Sequence, residues 1–232
     1  MSFDRWRSLV DGAEIDVGAA IPDSAIHQWP FDEGSGESVA DSIGDIQGSV
    51  NGPTFISDGW EGGSALDFDG GGTDDVTFDS LVDETGVDST FSVAITTDLN
   101  NTNDQFIWTH RRSGSDRWVL QVVNNSLQFV GWDGSRFGVA INTVPTSRTR
   151  IGVAFDGPAQ TAEIYFNGES QSSDETGIEA GSLPQIDGIH NLGRRIDADD
   201  NAQDGVSDNP IVYSDLLTGS EFVNDYESQP WA

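Results

Sequence analysis

The sequence predicts an all-β protein in which two antiparallel sheets form a sandwich and a short helix lies near each end of the chain. From Ile26 onward, runs rich in Val, Ile, Phe and Trp alternate with turns of Gly, Asp, Asn and Ser, at a spacing of roughly eight to twelve residues that is typical of sandwiches and barrels. Only two segments carry the apolar spacing of a helix, and no internal repeat indicates a propeller or a solenoid. The 232 residues include seven Trp and twelve Phe, which is enough to fill a single core.

The first element is a segment separate from the sandwich. Phe3, Trp6 and Leu9 fall at helical spacing, which predicts a short amphipathic helix, and a Pro-Asp-Ser turn then interrupts the chain. We therefore divide the chain into an N-terminal arm, 1–24, and a sandwich domain, 25–232. A short helix is marginally stable alone, so its aromatic face is expected either to pack on the sandwich or to dock on another protein.

The strands follow one another in the middle of the chain as a meander. Asn124-Asn125 and Asp133-Gly134 are residue pairs that favour hairpin turns between successive strands. The predicted strands are 26–31, 64–69, 74–79, 90–97, 104–110, 117–123, 126–132, 136–142, 148–156, 160–167, 188–196 and 206–213.

The C-terminal part combines a loop and the second helix. The Asp-rich stretch 197–209 has no apolar periodicity and is expected to be a surface loop. A helix is predicted over 218–228, where Thr218 is the N-cap and Glu221 its capping-box partner.

The charge of the chain is strongly one-sided. Forty acidic residues face ten basic ones, all of them Arg, for a formal net charge of -30. Repulsion on this scale destabilises a compact state, but the Debye length falls to about 3 Å near 1 M salt, which removes most of the penalty. The composition therefore favours a protein of a salt-accumulating halophile; the alternative is a mesophilic acidic protein or a disordered acidic tail. Nucleic acid is not expected as a partner, because binding phosphates needs a basic surface.

Other classes are disfavoured by what the sequence lacks. The chain has no cysteine, which excludes disulfides, thiolate metal sites and thiol catalysis. It has no run of eighteen apolar residues, so membrane insertion is not expected, and its first residues have no apolar stretch of the kind found in a secretory signal.

Three short motifs carry a resemblance to a known family. They are Trp29–Gly36 (WPFDEGSG), Ala65–Gly70 (ALDFDG) and the closing pair Gly205–Tyr213 (GVSDNPIVY) and Leu217–Glu221 (LTGSE). Together they resemble the laminin-G-like, concanavalin-A-like lectin and glucanase domains over roughly residues 25–228. The resemblance implies a jelly-roll sandwich in which the opening strand lies beside the closing strand, and it implies a binding module.

The same resemblance implies a calcium ion. Members of the family often hold one with acidic turns, which points to Asp32, Asp41 and Asp208 in this chain, and Ca²⁺ prefers such oxygen ligands. Ser207 stands where the family has an acid. The alternative is that these three side chains only cap turns and face water.

A basic, aromatic hairpin is the sharpest candidate for ligand binding. Arg guanidinium groups match carboxylate and sulfate in pairs of hydrogen bonds, and Trp rings stack on sugars, so we expect this hairpin and the next turns to bind an acidic glycan. The alternative is that the arginines pair with surface Asp while the Trp side chains fill the core. The candidate residues are Trp108, His110, Arg111, Arg112, Arg117, Trp118, Trp132 and Arg136.

Catalytic groups are not evident, and the chain is predicted not to be an enzyme. Jelly-roll glucanases resembling this chain use Glu-x-Asp-x-x-Glu, whereas Glu14-Ile15-Asp16 is followed by Ala19 at the last position and lies outside the sandwich. His27, His110 and His190 are dispersed along the sequence, which does not suggest a metal triad.

The predicted function is a halophilic binding or adhesion module on a virion surface, as part of a fibre, spike or turret of a haloarchaeal virus that recognises host-cell glycans. Such a protein is made in the host cytoplasm without a signal peptide; the other predicted location is outside a halophilic cell. Expected partners are a cell-surface glycan or glycoprotein, virion proteins bound through the arm, and further copies in a homo-oligomer. The alternatives are an architectural subunit that binds proteins only, and a glycoside hydrolase.

Overall fold

The computed structural model describes residues 8–10, 13–15, 20–57, 59, 63–78, 90–113, 116–132, 136–156, 159, 161–171, 188–195 and 201–228. At residues 8–10, 13–15, 112, 113, 116, 132, 136 and 137 the description covers the backbone only.

The described residues are mostly β-structure. The strands are β1 (Ser8–Val10), β2 (Ala13–Ile15), β3 (Ala25–Gln28), β4 (Ser38–Val39), β5 (Gly48–Asn51), β6 (Thr54–Ile56), β7 (Ala65–Asp69), β8 (Asp75–Phe78), β9 (Thr90–Leu99), β10 (Gln105–Ser113), β11 (Asp116–Val123), β12 (Ser126–Trp132), β13 (Arg136–Ile141), β14 (Thr149–Asp156), β15 (Thr161–Phe166), β16 (Glu169–Ser170), β17 (Ile189–Leu192) and β18 (Asp204–Tyr213). One helix, α1 (Gly219–Ser228), follows them.

The strands form two antiparallel sheets, as predicted. Sheet 1 has the order β16-β15-β14-β9-β18-β7-β6, and β3 pairs with β18 beside this path. Sheet 2 has the order β13-β12-β11-β10-β17-β8-β5-β4. The opening strand β3 lies beside the closing strand β18, with Gln28 opposite Ile211 and His27 opposite Val212, which confirms the pairing that the motifs implied.

The core lies between the two sheets and is strongly aromatic. Trp29, Trp108, Trp118, Phe91 and Phe129 are buried in it and contact one another or neighbouring rings at centroid distances of 4.1 to 6.4 Å. The Trp29 indole N–H donates to the carbonyl oxygen of residue 46 at 2.7 Å, so its polar atom is satisfied although the ring is fully buried.

Helix α1 covers the outer face of sheet 1. Phe222 packs there with Tyr165, at a ring distance of 4.4 Å, and with Tyr213 and Ala154 in a second apolar cluster. Gly152 makes room for it, since a Cβ at this position would lie 2.6 Å from Cδ1 of Phe222. The capping box is confirmed: the Glu221 carboxylate accepts a hydrogen bond from the Thr218 N–H at 2.7 Å, in front of the first turn.

A buried ion pair fastens α1 to the sheet. Arg150 on β14 donates through Nε and Nη2 to both carboxylate oxygens of Asp225, at 2.8 and 2.9 Å, and the Tyr213 hydroxyl donates to the same carboxylate at 2.5 Å. Arg150 also donates through Nη1 to Thr96 Oγ1 at 3.2 Å and to the Asn209 carbonyl at 2.6 Å. Burial alone would lower the pKa of Arg150, but the Asp225 charge outweighs it and raises that pKa.

Two predictions about the chain's ends need correction. Residues 8–10 are not helical, because Ser8–Val10 pairs antiparallel with Ala13–Ile15 in a hairpin that is separate from both sheets. The intervening sequence, Asp-Gly, is a strong hairpin signal, and it outweighs the helical spacing of the apolar residues. The loop predicted over 197–209 is wrong from Asp204 onward, where β18 begins.

The proposed docking residues are described only in part. Leu9 lies in β1, whereas Phe3 and Trp6 lie outside the described residues, so the docking role and the division between 1–24 and 25–232 stay predictions. In the described part of the chain, no helix has the length and apolar character needed to cross a membrane.

Candidate ligand-binding face

Arginine residues are concentrated on sheet 2. Six of the ten in the chain lie in its strands or directly after one of them, on the contiguous set β13-β12-β11-β10-β17. They are Arg111, Arg112, Arg117, Arg136, Arg194 and Arg195. In a chain of net charge -30, these arginines lower the repulsion that an anionic ligand meets at this sheet.

Strand register assembles four of the predicted ligand-binding residues into one row. Arg111 stands opposite Arg117, Arg117 opposite Trp132, and Trp132 opposite Arg136. On the other side, Arg111 stands opposite the exposed Ile189. Because neighbouring strands are about 4.8 Å apart, this arginine row crosses five strands and roughly 19 Å of the sheet. Arg111 and Arg117 have half-buried side chains.

A row of polar residues lies next to the arginine row, two residues away along β10 and β17. Thr109 donates through Oγ1 to the carbonyl oxygens of Asn191, at 3.4 Å, and Arg194, at 3.2 Å, and Asn191 donates through Nδ2 to Thr77 Oγ1 at 3.1 Å. Thr109 and Asn191 are buried although they point away from the core, and Asn191 Oδ1 is buried without a hydrogen-bond partner among the described residues. This part of the outer face of sheet 2 is therefore polar and largely buried, and we call Thr109, Asn191 and Thr77 the polar floor.

Two further arginines lie at the end of this polar floor. Arg194 donates through Nε to Asp75 Oδ2 at 2.6 Å, and the Arg195 guanidinium lies over the Phe106 ring at 5.6 Å from its centroid. Both contacts position cationic groups against the outer face, next to β10.

Three predicted ligand-binding residues lie in the core instead, which corrects their assignment. Trp108, His110 and Trp118 are no more than 1% exposed, and the His110 and Trp118 rings stack at 5.4 Å. Trp108 donates through Nε1 to Nδ1 of His190 at 3.1 Å. Side chains alternate along a strand, so residues 108, 110 and 118 face inward while 109, 111 and 117 face outward. The alternative in which the Trp side chains fill the core is correct for these two. The side chains of Arg112, Trp132 and Arg136 lie outside the description.

The predicted calcium ligands have different surroundings. Asp32 is exposed in the turn after β3, Asp41 is bound to backbone N–H groups of its own loop, and Asp208 is buried in β18. Within the described residues no three His, Asp or Glu side chains are grouped to hold a metal ion. Calcium binding stays a prediction, which metal analysis of the purified protein in a calcium buffer would check.

Sequence reasoning missed a buried pair at the opening strand. His27 Nδ1 lies 2.5 Å from Asp41 Oδ2, and the His27 ring stacks on Trp29 at 5.5 Å. Burial alone would raise the pKa of Asp41, but its hydrogen bonds with His27 and the backbone outweigh burial and lower it. The backbone donors are the N–H groups of Gln28, Ile43, Gly44 and Ile46. Only the Asx-turn signal of Asp41 with the residues after it was visible in the sequence.

This pair predicts a pH dependence. A lowered native pKa means that the stabilisation by Asp41 is present above its ordinary pKa of 3.8 and is lost as the pH falls through the native value. We expect Asp41→Asn to reduce the free energy of unfolding by about 1–2 kcal/mol at pH 6, and the difference from the parent to shrink below pH 4. Urea titrations across this pH range measure both, with the exposed Asp45→Asn as control; an effect of Asp41→Asn that is constant with pH would contradict the prediction.

The remaining candidates for chemistry are not assembled. Glu14 lies in β2, outside both sheets, and Asp16 lies outside the described residues. His110 and His190 are neighbours in the core, with ring centroids 4.8 Å apart, whereas His27 is on sheet 1. The histidines that looked dispersed in the sequence thus include one buried pair.

The fold defines the class of the protein as an antiparallel two-sheet jelly-roll β-sandwich. No family of protein sequences and no curated protein matches the chain. Solved structures do share its fold. The receptor-binding domain of botulinum neurotoxin D has a TM-score of 0.68 and 16% identity, covering 90% of this chain and 54% of that one. The type G receptor-binding domain has a TM-score of 0.66 and 15% identity, covering 88% and 51%.

A third similar structure was determined with a bound protein. It is the binding domain of botulinum neurotoxin DC in complex with rat synaptotagmin II, with a TM-score of 0.70 and 13% identity, covering 90% of this chain and 52% of that one. This chain spans about half the length of these structures, and at such identities the likeness concerns the fold.

Proposed function

We propose that this chain is a binding module that recognises an anionic glycan or glycoprotein on a cell surface through the arginine row of sheet 2. The observation that carries the proposal is the register that aligns Arg111, Arg117 and Arg136 with Trp132 across adjacent strands. Support also comes from the fold, which is shared with proteins described as receptor-binding domains. We propose no enzymatic activity.

The chemistry of the arginine row favours a negatively charged ligand. Arg forks pair with carboxylate or sulfate in two parallel hydrogen bonds, and these short-range contacts persist in salt that screens distant charges. Thr109 and Asn191 of the adjoining polar floor are buried, so the ligand contacts are assigned to the arginine row. A polyanion therefore fits the arginine row better than an apolar or a cationic ligand does.

We expect Arg111→Ser combined with Arg117→Ser to weaken binding to sulfated or uronate polysaccharides by about tenfold or more, the worth of roughly one lost charge-assisted pair. Binding is measured by isothermal titration in molar KCl against a panel of acidic and neutral glycans. The control is Arg148→Ser, which removes an exposed positive charge before β14. Equal weakening in the control, or unchanged binding in the double variant, would contradict the proposal.

We further propose a halophilic setting and a place on a virion surface, where the arm of residues 1–24 docks through Phe3, Trp6 and Leu9. Support comes from the net charge of -30 and from the β1–β2 strand pair, which belongs to neither sheet of the sandwich. Deleting residues 1–20 is the test, read by oligomeric state and incorporation into particles. If both are unchanged, the arm is not the docking element; if the deletion disrupts assembly and no glycan binds, the chain is an architectural subunit.

The acidic cluster at one end of sheet 1 provides a test of the halophilic proposal. Burial and the neighbouring charges of Asp204 and Asp69 raise the pKa of Asp67, and burial with the charge of Asp69 raises that of Asp74. A raised native pKa means that ionisation at neutral pH costs stability.

We expect Asp69→Asn to raise the free energy of unfolding by about 0.5–1 kcal/mol at low salt, and by nothing measurable above 1 M, where screening has removed the repulsion. Asn keeps the oxygen that accepts the Gly71 N–H at 2.6 Å. Thermal unfolding over a KCl series measures the effect, with the exposed Asp23→Asn as control; a gain that is independent of salt would argue against charge repulsion as its cause.

A further inference from the structure

A cleft of about 410 Å³ lies beside β6, the edge strand of sheet 1, away from the arginine row. The turn that follows β3 forms one wall, and β6 forms the other. The described lining residues are Asp32, Gly34, Phe55, Ile56, Ser57, Gly63 and Ser64. Its volume is within the range of small-ligand sites in proteins.

The turn is built so that one carboxylate stands at the cleft with spare hydrogen-bonding capacity. Ser64 is buried, and its hydroxyl donates to the Phe31 carbonyl and accepts the Gly34 N–H at 2.9 Å. Asp32 accepts the Ser64 N–H through Oδ1 at 3.3 Å, which is its only hydrogen bond with described residues. A Cβ at Gly63 would collide with Asp32 Oδ1, so a glycine there lets the carboxylate approach closely.

Two of the other side chains that line the cleft are apolar. Phe55 and Ile56 are half-buried, and Phe55 packs against the core while it lines the cleft. No Arg or His is among the described lining residues. Among these described residues an anion would find no cationic partner, whereas a cation is attracted both by Asp32 and by the net charge of -30.

We infer that this cleft binds an organic cation, namely a primary ammonium or guanidinium group on a short apolar stem. The cationic head donates a charge-assisted hydrogen bond to the second oxygen of Asp32, and such bonds are about twice as strong as neutral ones. The stem lies against Phe55, where ring and cation also attract each other. The inference does not depend on the arginine row, because the two surfaces select ligands of opposite charge.

The test is an amide NMR titration with n-butylammonium chloride at constant ionic strength, with n-butanol, methyl glucoside and calcium chloride as comparison probes. We expect saturable shifts at Gly34, Ile56 and Ser64 with the ammonium only. Asp32→Asn should weaken this binding about tenfold, the equivalent of one charge-assisted hydrogen bond. Asp45→Asn, which removes an exposed charge outside the cleft, should leave it unchanged.

Each other outcome would overturn the inference. Saturable shifts with the glucoside would assign the cleft to a neutral sugar, and shifts with calcium would assign it to a metal ion. Shifts that do not saturate, or that weaken equally in the Asp32 and Asp45 variants, would indicate only a diffuse ion atmosphere. None of these results bears on glycan binding by the arginine row. Likewise, a failure of the arginine row to bind glycans would not affect the inference about this cleft.

Discussion

Replacing Asp225 by Ala is expected to lower the free energy of unfolding by about 3–5 kcal/mol, because it leaves the buried Arg150 guanidinium without its carboxylate partner. Both Arg150 and Asp225 are almost completely buried, and the pair is held by two parallel hydrogen bonds. The substitution also removes the ion pair that joins α1 to sheet 1, where Phe222 packs over Gly152. Urea unfolding followed by Trp fluorescence measures the free energy, and near-UV circular dichroism reports the packing of α1.

Two companion variants separate the charge from the packing. Tyr213→Phe removes one hydrogen bond to Asp225 and should cost about 1–2 kcal/mol. Arg150→Met with Asp225→Leu removes both charges together, and it should recover most of the stability lost in the single Asp225 variant, because neither charge is then buried alone. A double variant as unstable as the single one would show that shape, and not the unpaired charge, determines the cost.

The second large effect is expected at Gly205, on the closing strand. Its φ of +141° lies outside the region favoured by L-residues, and a Cβ there would collide with the Asp98 carbonyl and lie 2.8 Å from the Leu99 Cα. These are backbone atoms of the paired strand β9 and cannot rotate away. We expect Gly205→Ala to cost about 3 kcal/mol or more, from conformational strain and overpacking together.

Gly36→Ala is the matched control for this variant. Gly36 also has a positive φ, +117°, but it is exposed and no atom lies within 4 Å of its added Cβ. It should therefore cost only the conformational part, about 1 kcal/mol. Denaturant titrations of the two variants give the cost of the collision by difference. If both variants lose the same stability, the close approach of β18 and β9 does not contribute.

The parts of the fold that could be predicted are those with local causes. Every predicted strand has a counterpart in the structure, since each is an apolar run bounded by turn residues. The hairpin between β11 and β12 follows from Asn124 and Asn125, which both adopt positive φ values, 52° and 60°, as such a turn requires. The cap of α1 follows from Thr218 and Glu221, three residues apart.

Four of the six strands that sequence reasoning missed lie in the two sheets, where they are defined by pairing with neighbouring strands. β4, β5, β6 and β16 have two to four residues each, which is too short for a recognisable alternation. β5 is a strand because it pairs with β8, and β6 because it pairs with β7. Only the assembled sheets supply these partners, so no local signal could have defined the walls of the cleft beside Asp32.

The candidate site divides in the same way. The sequence alone determined that arginine and Trp residues of this acidic chain are clustered over residues 108–118, because their order along the chain is directly visible. It did not determine which side chains reach the ligand, since successive residues of a strand face opposite ways and the irregular register between Phe106 and Trp108 sets the phase. The tertiary structure decides which side chains are available, because it buries Trp108 and Trp118 in the core. It also places β17, some 80 residues further along the chain, beside Arg111. Strand order is a property of the assembled sandwich, and it brings the distant Ile189 beside a row whose other members lie on four consecutive strands.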